Sequence, residues 1–309
     1  MEDLFQVAAV IAPIFATVYL GMVARKKALI TPEGVQGLQR FVLNIALPCL
    51  IFNSVLTAKV GTESLAIMAL LFPFVLGVTV WAFLIGRKKY PYRNLPMMFG
   101  AQESGMLGIP LFLILFGSAS VYHMVILDLT QAIVGHPTIA IVSCDAGDSP
   151  NPKTILKKVF TSPLVIACLI ALGLNLSGAG TWLPESGIGR VITEVTTFLG
   201  QPVSTLMIFS VGYNLSLSGE NRKEVVKLCL IRLFIFAVIG GVLQLLLFLI
   251  PGITSLTRWA MLLYCFLPAS YIAPSLGKTE QEQTVASGVS SLLTVVTLAV
   301  FCAIAALTA

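Results

Sequence analysis

Apolar residues in this chain gather in long unbroken runs and do not alternate with polar ones. Residues 4–24, 64–86, 159–184, 195–219, 233–257, 259–277 and 283–309 contain no Asp, Glu, Lys or Arg. Each run comes close to or exceeds the ~20 residues that a helix needs to cross a hydrocarbon core ~30 Å thick. Residues 41–59 form an eighth run, closed by Lys59. Residues 95–117 and 121–143 add two more that hold one acid each, Glu103 and Asp128. The pattern predicts an all-α integral membrane protein of ten transmembrane helices. A barrel would alternate apolar and polar residues at every second position, which these runs do not. The first run follows Glu2 and Asp3, not a basic segment, and has full spanning length, so it is expected to stay as a span and not to be cleaved as a leader.

Composition narrows the class further. Charged residues make up 11% of the chain and hydrophobic ones 57%, against roughly 25% charged in a soluble domain. With a mean hydropathy of +0.94, no sizeable soluble domain is expected. Loops assigned alternately to two sides divide the basic residues unevenly. One side receives Arg25, Lys26, Lys27, Arg87, Lys88, Lys89, Arg93, Lys153, Lys157, Lys158, Arg222, Lys223, Lys227 and Lys278, with Arg40 and Arg232 near helix ends that begin there. The other receives Lys59, Arg190 and Arg258. Cytoplasmic loops retain Lys and Arg, so the basic side is expected inside and both termini outside, in a multi-pass protein of the cell (inner or plasma) membrane. The net charge of +5 then reports topology, helped by anionic lipid headgroups. Nucleic acid is not an expected partner, because the basic clusters lie in short loops without the aromatics that stack bases. Cys49, Cys144, Cys168, Cys229, Cys265 and Cys302 show no C-x-x-C spacing, so neither a disulfide frame nor a zinc site is expected. A P-loop pattern is also absent, which excludes ATP as a driving force within this chain.

The segment 144–158, with its Asp-Ser-Pro-Asn-Pro run, divides the chain into units 1–150 and 151–309 of five spans each. An odd number of spans makes the second unit enter the membrane from the opposite face, so similar halves would be inverted repeats. Proline placement supports this. Pro13, Pro48 and Pro110 lie in the first, second and fourth spans, and Pro163, Pro202 and Pro274 in the sixth, seventh and ninth. The fourth and ninth carry the sharpest local pattern, Gly100-Ala-Gln-Glu-Ser-Gly-Met-Leu-Gly-Ile-Pro110 and Pro268-Ala-Ser-Tyr-Ile-Ala-Pro274. Proline removes a backbone donor and glycine lets the chain leave helical geometry. Both spans are expected to break mid-membrane into half-helices, with Pro110 and Pro274 opening the second halves and bare backbone lining a cavity. A simple proline kink is the plainer alternative.

In the order and spacing of its motifs the chain resembles the auxin efflux carrier family over essentially its whole length. The resemblance rests on Phe41-Val-Leu-Asn-Ile-Ala-Leu-Pro-Cys-Leu-Ile-Phe52, Gly105-Met-Leu-Gly-Ile-Pro-Leu111, Thr161-Ser-Pro-Leu-Val-Ile-Ala167, Pro202 with Gly212 and Leu215, and Leu267-Pro-Ala-Ser270 with Pro274. It implies a 5+5 inverted repeat whose fourth and ninth helices cross near the bilayer centre, much as in bile-acid symporters and sodium/proton antiporters. It also implies organic anions or small carboxylates as substrates. Carried onto this sequence, the motif positions are Gly105, Gly108 and Pro110 in one crossing helix and Pro268 and Pro274 in the other. The chain departs from the family where Glu103 precedes Ser104-Gly105, a place where the family often has Asn. That exchange alters the charge expected of the site.

Glu103 is the first candidate among ionisable groups. A charge at that depth is expensive, and a carboxylate near the C-terminal end of a half-helix meets the negative end of its dipole. Glu103 is therefore expected to carry a coupling proton; a sodium site of Glu103, Ser104 and freed carbonyls is the alternative, and a structural acid the plainer reading. Asp128, with Gln131 one turn along, either shapes the site or makes an interhelical hydrogen bond. His123 and His136 flank Asp128; His136, directly before Pro137, is either a proton-relay member or, as the favoured reading, a satisfied structural histidine. Asn44, one turn before Pro48, either recaptures a freed carbonyl or lines a cavity. Ser270 is a candidate for substrate contact. No Lys or Arg is expected deep in a span, so half-helix dipoles after Pro110 and Pro274 would have to hold an anion.

These readings converge on a secondary active transporter that moves a small organic anion or carboxylate by alternating access, proton-coupled through Glu103. It is expected not to be an enzyme and to hold no cofactor or metal beyond a coupling H+ or Na+. Its partners would be the small-molecule substrate and membrane lipid, with a homodimer left open. Two alternatives belong to other classes. One is an intramembrane serine hydrolase using Ser104 with His123 or His136 as base. The other is a channel, which would show charge rings or a repeated filter loop.

Overall fold

The computed structural model describes residues 2–58, 60–142, 151–215 and 221–308. Lys59, the stretch 143–150 with Cys144 and the boundary between the two units, and the end of the seventh predicted run lie outside the described residues. Helix accounts for nearly all of the rest. The first helix, α1, spans Glu2–Lys26, followed by α2 (Pro32–Leu56) and α3 (Glu63–Lys89). The fourth run gives two pieces, α4 (Leu95–Gly100) and α5 (Ser104–Phe116), and α6 covers residues 121–142. The second half holds α7 (Pro152–Phe160), α8 (Pro163–Leu176), α9 (Gly187–Asn214), α10 (Arg222–Leu247), α11 (Ser255–Cys265) and α12 (Glu280–Thr308).

Among the described residues six helices, α1, α2, α3, α9, α10 and α12, are long and apolar enough to cross a membrane. Their outer faces are apolar as well: Phe5, Tyr19, Leu84, Phe198, Phe234 and Leu245 are all exposed. An apolar exterior of this extent faces lipid, because water would drive such side chains inward. The protein is a multi-pass membrane protein.

Several predicted boundaries move. Counting charge-free residues starts a span after its last charge, whereas a helix starts at its cap. The Ser186 hydroxyl accepts from Gly189 N and opens α9 well ahead of residue 195. Helix α10 begins at Arg222, not near 233, and ends before Pro251-Gly252, where Gly252 takes φ +83°. The predicted run 233–257 therefore straddles a turn. Pro163 opens α8 at its first turn and does not kink a longer helix.

Packing sorts the helices into two groups. One contains α1, α2, α8 and α9; the other contains α3, α4, α6, α10, α11 and α12, and α5 packs on both α9 and α6. The tightest seam in the first group joins α1 to the second part of α9. A Cβ at Gly21 would lie 2.2 Å from the Phe209 carbonyl oxygen, and one at Gly212 would lie 2.2 Å from that of Val18. Only glycine lets two helix backbones approach so closely, and in lipid close packing replaces the hydrophobic drive between helices.

Candidate functional site

Helix α4 stops at Gly100, whose Cα faces Thr79 so closely that a Cβ would meet its Oγ1. Ala101 then turns extended, with φ −107° and ψ 128°. Residues 101–103 run antiparallel to 268–270, which follow α11. Glu103 N donates to Pro268 O at 3.0 Å, Ser270 N donates to Ala101 O at 3.3 Å, and Gln102 lies opposite Ala269. The breaks in the fourth and ninth runs thus meet each other.

The outer edge of this short ribbon is completed by a side chain. Gln102 N donates to Gln131 Oε1 at 2.9 Å, and Gln131 Nε2 donates to Gln102 O at 2.7 Å. Tyr264 fixes the same amide, its hydroxyl donating to Gln131 Oε1 at 2.7 Å. Away from water every such backbone group requires a partner, and Gln131 supplies both a donor and an acceptor. The expectation of bare backbone is corrected here: Gln102 has no free main-chain N–H or C=O.

Arg232 completes the arrangement, and the sequence reading misplaced it. It lies ten residues inside α10 with 1% of its surface exposed, not at a helix end. Nη1 donates to the carbonyls of Met98 and Phe99, and Nη2 to those of Ala101 and Leu267 and to Gln102 Oε1. Phe236, one turn on, places its ring 4.8 Å from the guanidinium carbon. The expectation that no cation lies deep in a span is overturned. The overlooked signal was an arginine set between Leu230-Ile231 and Leu233-Phe234.

The half-helix dipoles are also corrected. After the break the helix restarts at Ser104 with a π-helical turn, Ser104–Gly108, and Pro110 comes inside it. Pro274 sits in a single 3-10 turn, Ala273–Leu276, which Gly277 ends in extended conformation. No half-helix follows Pro274, so no dipole is available there. Glu103 sits at the N-terminal end of α5, not at a C-terminal end.

The buried Glu103 carboxyl accepts from Tyr271 N at 2.7 Å, with the Ser270 hydroxyl and the Met106 amide as further polar neighbours. Asp128, also buried, accepts from the Ser104 hydroxyl and faces His136. The structure thus brings Glu103, Ser104, Asp128, Gln131, Pro268 and Ser270 together. Gly108 packs against the ninth segment, since a Cβ there would lie 2.8 Å from Leu267 Cδ1, whereas Gly105 faces open space. The Pro110 carbonyl accepts from Ser204 at 3.3 Å. Asn44 stands apart on an exposed face, where it recaptures the Arg40 carbonyl at 2.8 Å. His123 bonds Thr257 at 3.0 Å, and Ser104 bonds Asp128, so Ser104 lacks the histidine contact that a serine nucleophile uses.

Beside this cluster lies a cavity of about 810 Å³ between the two helix groups. Arg25, Gln36, Gln39 and Asn214 line one wall, and Tyr271, Pro274, Ser287 and Ser290 line the other. Among the described residues its lining holds one guanidinium and no carboxylate. Ser290 Oγ is buried there without a hydrogen-bond partner. Of the predicted site residues Pro274 alone reaches this cavity. The polar faces of α2 and α12 were missed, although Gln36 and Gln39, like Ser287 and Ser290, stand three apart on one helix face.

Residues 6–144 match the family model described as membrane transport protein. No curated protein matches the chain.

Proposed function

We propose, from the match of residues 6–144 to the membrane transport protein model, that the chain is a member of that family, the family of the auxin efflux carriers, and a secondary active carrier of a small organic anion, working by alternating access. The observation that carries this reading is the cavity of about 810 Å³ set between two helix groups, with Arg25 as the one charged residue among the described residues that line it. Its size lies within the ~300–1,000 Å³ of small-molecule sites, and its charge suits an anion. The grouping supports a moving body as well. The first two predicted spans of each half, α1, α2, α8 and α9, pack together, and the later spans form the other group. That is the division expected of a ten-span, inverted 5+5 repeat. The group carrying both breaks would move against the other and open the cavity to each side in turn. In the proposed orientation Arg25 marks the cytoplasmic end and both termini lie outside.

Glu103 is the proposed proton carrier. Tyr271 links it to the substrate space, since its amide donates to Glu103 and the residue also lines the cavity. The test is uptake into proteoliposomes with a panel of radiolabelled carboxylates under imposed proton or sodium gradients. At least one carboxylate should accumulate with an imposed proton gradient, and Glu103→Gln should abolish that drive. Absence of gradient-driven uptake across the panel overturns the anion carrier. Full pH-dependent uptake by Glu103→Gln removes the proton role alone, and a sodium-driven response assigns the other ion.

A further inference from the structure

The two helix ends that stop at the breaks are both carbonyl ends. Helix α4 stops at Gly100 and leaves Met98, Phe99 and Ala101 without intrahelical donors; α11 stops at Cys265 and leaves Leu267 close by. The terminal carbonyls of a helix carry partial negative charge and require donors. In water, solvent would satisfy them. Here one side chain reaches the end of α4 and the Leu267 carbonyl, two residues beyond α11, at once. Arg232 Nη1 takes Met98 and Phe99, and Nη2 takes Ala101, Leu267 and Gln102 Oε1. A planar guanidinium offers five N–H donors in a fixed fork, whereas an ammonium offers three on a single centre.

We propose that Arg232 caps α4 and ties it to the segment that follows α11, a positioning residue that clamps the two unwound segments together and to α10 so that they travel as one body. The inference rests on the carrier reading for its purpose, but its geometry stands without it. Arg232 is not a substrate ligand: it is buried, it does not line the cavity, and both of its terminal nitrogens donate to protein. Its positive charge lies between the negative ends of two helices, which suits it to hold them and leaves Glu103 to other partners.

The test uses the full chain with its native cysteines replaced and one reporter cysteine at Ala269, which is fully buried opposite Gln102. A second reporter at Val203, equally buried in the other helix group, serves as control. Each is combined with Arg232→Lys and Arg232→Met and labelled with N-ethylmaleimide in detergent. The Ala269 reporter should label at least tenfold faster in Arg232→Met and by an intermediate factor in Arg232→Lys, while the Val203 reporter keeps its rate. Unchanged labelling at Ala269 overturns the proposal, as does equal acceleration at both reporters, which would mark general unfolding. If the methionine variant is not recovered folded, the lysine variant decides: wild-type labelling at Ala269 then overturns the clamp. With a transported carboxylate, Arg232→Lys should lower the maximal uptake rate with KM unchanged; a raised KM with an unchanged maximal rate would make Arg232 a ligand and overturn the positioning role. A wild-type protein that transports nothing would sink the carrier reading and leave the labelling result intact.

Discussion

Gln131 does with one side-chain amide what a neighbouring strand does with a peptide unit, and this sets the scale on which single residues matter here. Gln131→Leu removes the partners of Gln102 N and Gln102 O together. Each buried group left unsatisfied costs about 1–3 kcal/mol, so the variant should melt clearly below wild type in detergent. Gln131→Glu should be milder, because the acceptor survives. The two motif glycines separate in the same way. Gly108→Val should weaken the protein by overpacking against Leu267, by about 1–3 kcal/mol, whereas Gly105→Ala meets no atom within 4 Å and should melt near wild type. Glu103 and Asp128 were legible from sequence because an acid inside an apolar run stands out. Arg232 was not, since an arginine near the start of a charge-free run looks like the loop charge that precedes it. Only the start of α10 at Arg222, ten residues upstream, distinguishes the two.

At the scale of elements, the breaks in the fourth and ninth runs were legible because glycine and proline cluster there. Their extent was not. A proline marks where a helix tolerates a missing donor, but the break forms where partners exist for the freed groups, and those partners lie on α6 and α10. This places the first break at residues 101–103, ahead of Pro110, and reduces the ninth to one 3-10 turn beyond its break. The seam between α1 and α9 was likewise invisible, because contact between distant segments leaves no local pattern. It makes a firm prediction. Gly212→Leu forces a side chain into the Val18 backbone and should separate the two helices, read as loss of monodisperse protein in size-exclusion chromatography. Gly173→Ala on α8, where nothing lies within 4 Å, should leave the elution profile unchanged.

For the whole molecule, the class was readable from run length alone, while the partition into two helix groups needed coordinates. The cavity follows from that partition, since it opens where α1, α2 and α9 face α12 and the ninth segment. If transport requires these groups to move apart, fixing them should stop it. Cysteines at Gln39 and Ser287, on opposite walls, joined by a short bifunctional maleimide, should arrest uptake, while either cysteine alone, treated likewise, should not. Continued uptake by the cross-linked protein would mean that this cavity is not the moving seam.

Because the main-chain N–H groups of Gln102, Glu103 and Ser270 already have acceptors, an anionic solute arriving there finds none of these donors vacant. It must displace a resident donor or acceptor, as an incoming ligand replaces one already bound to a metal complex. Occupancy would then be a competition with the protein's own amides, and its rate would be governed by how quickly Tyr271 N lets go of Glu103.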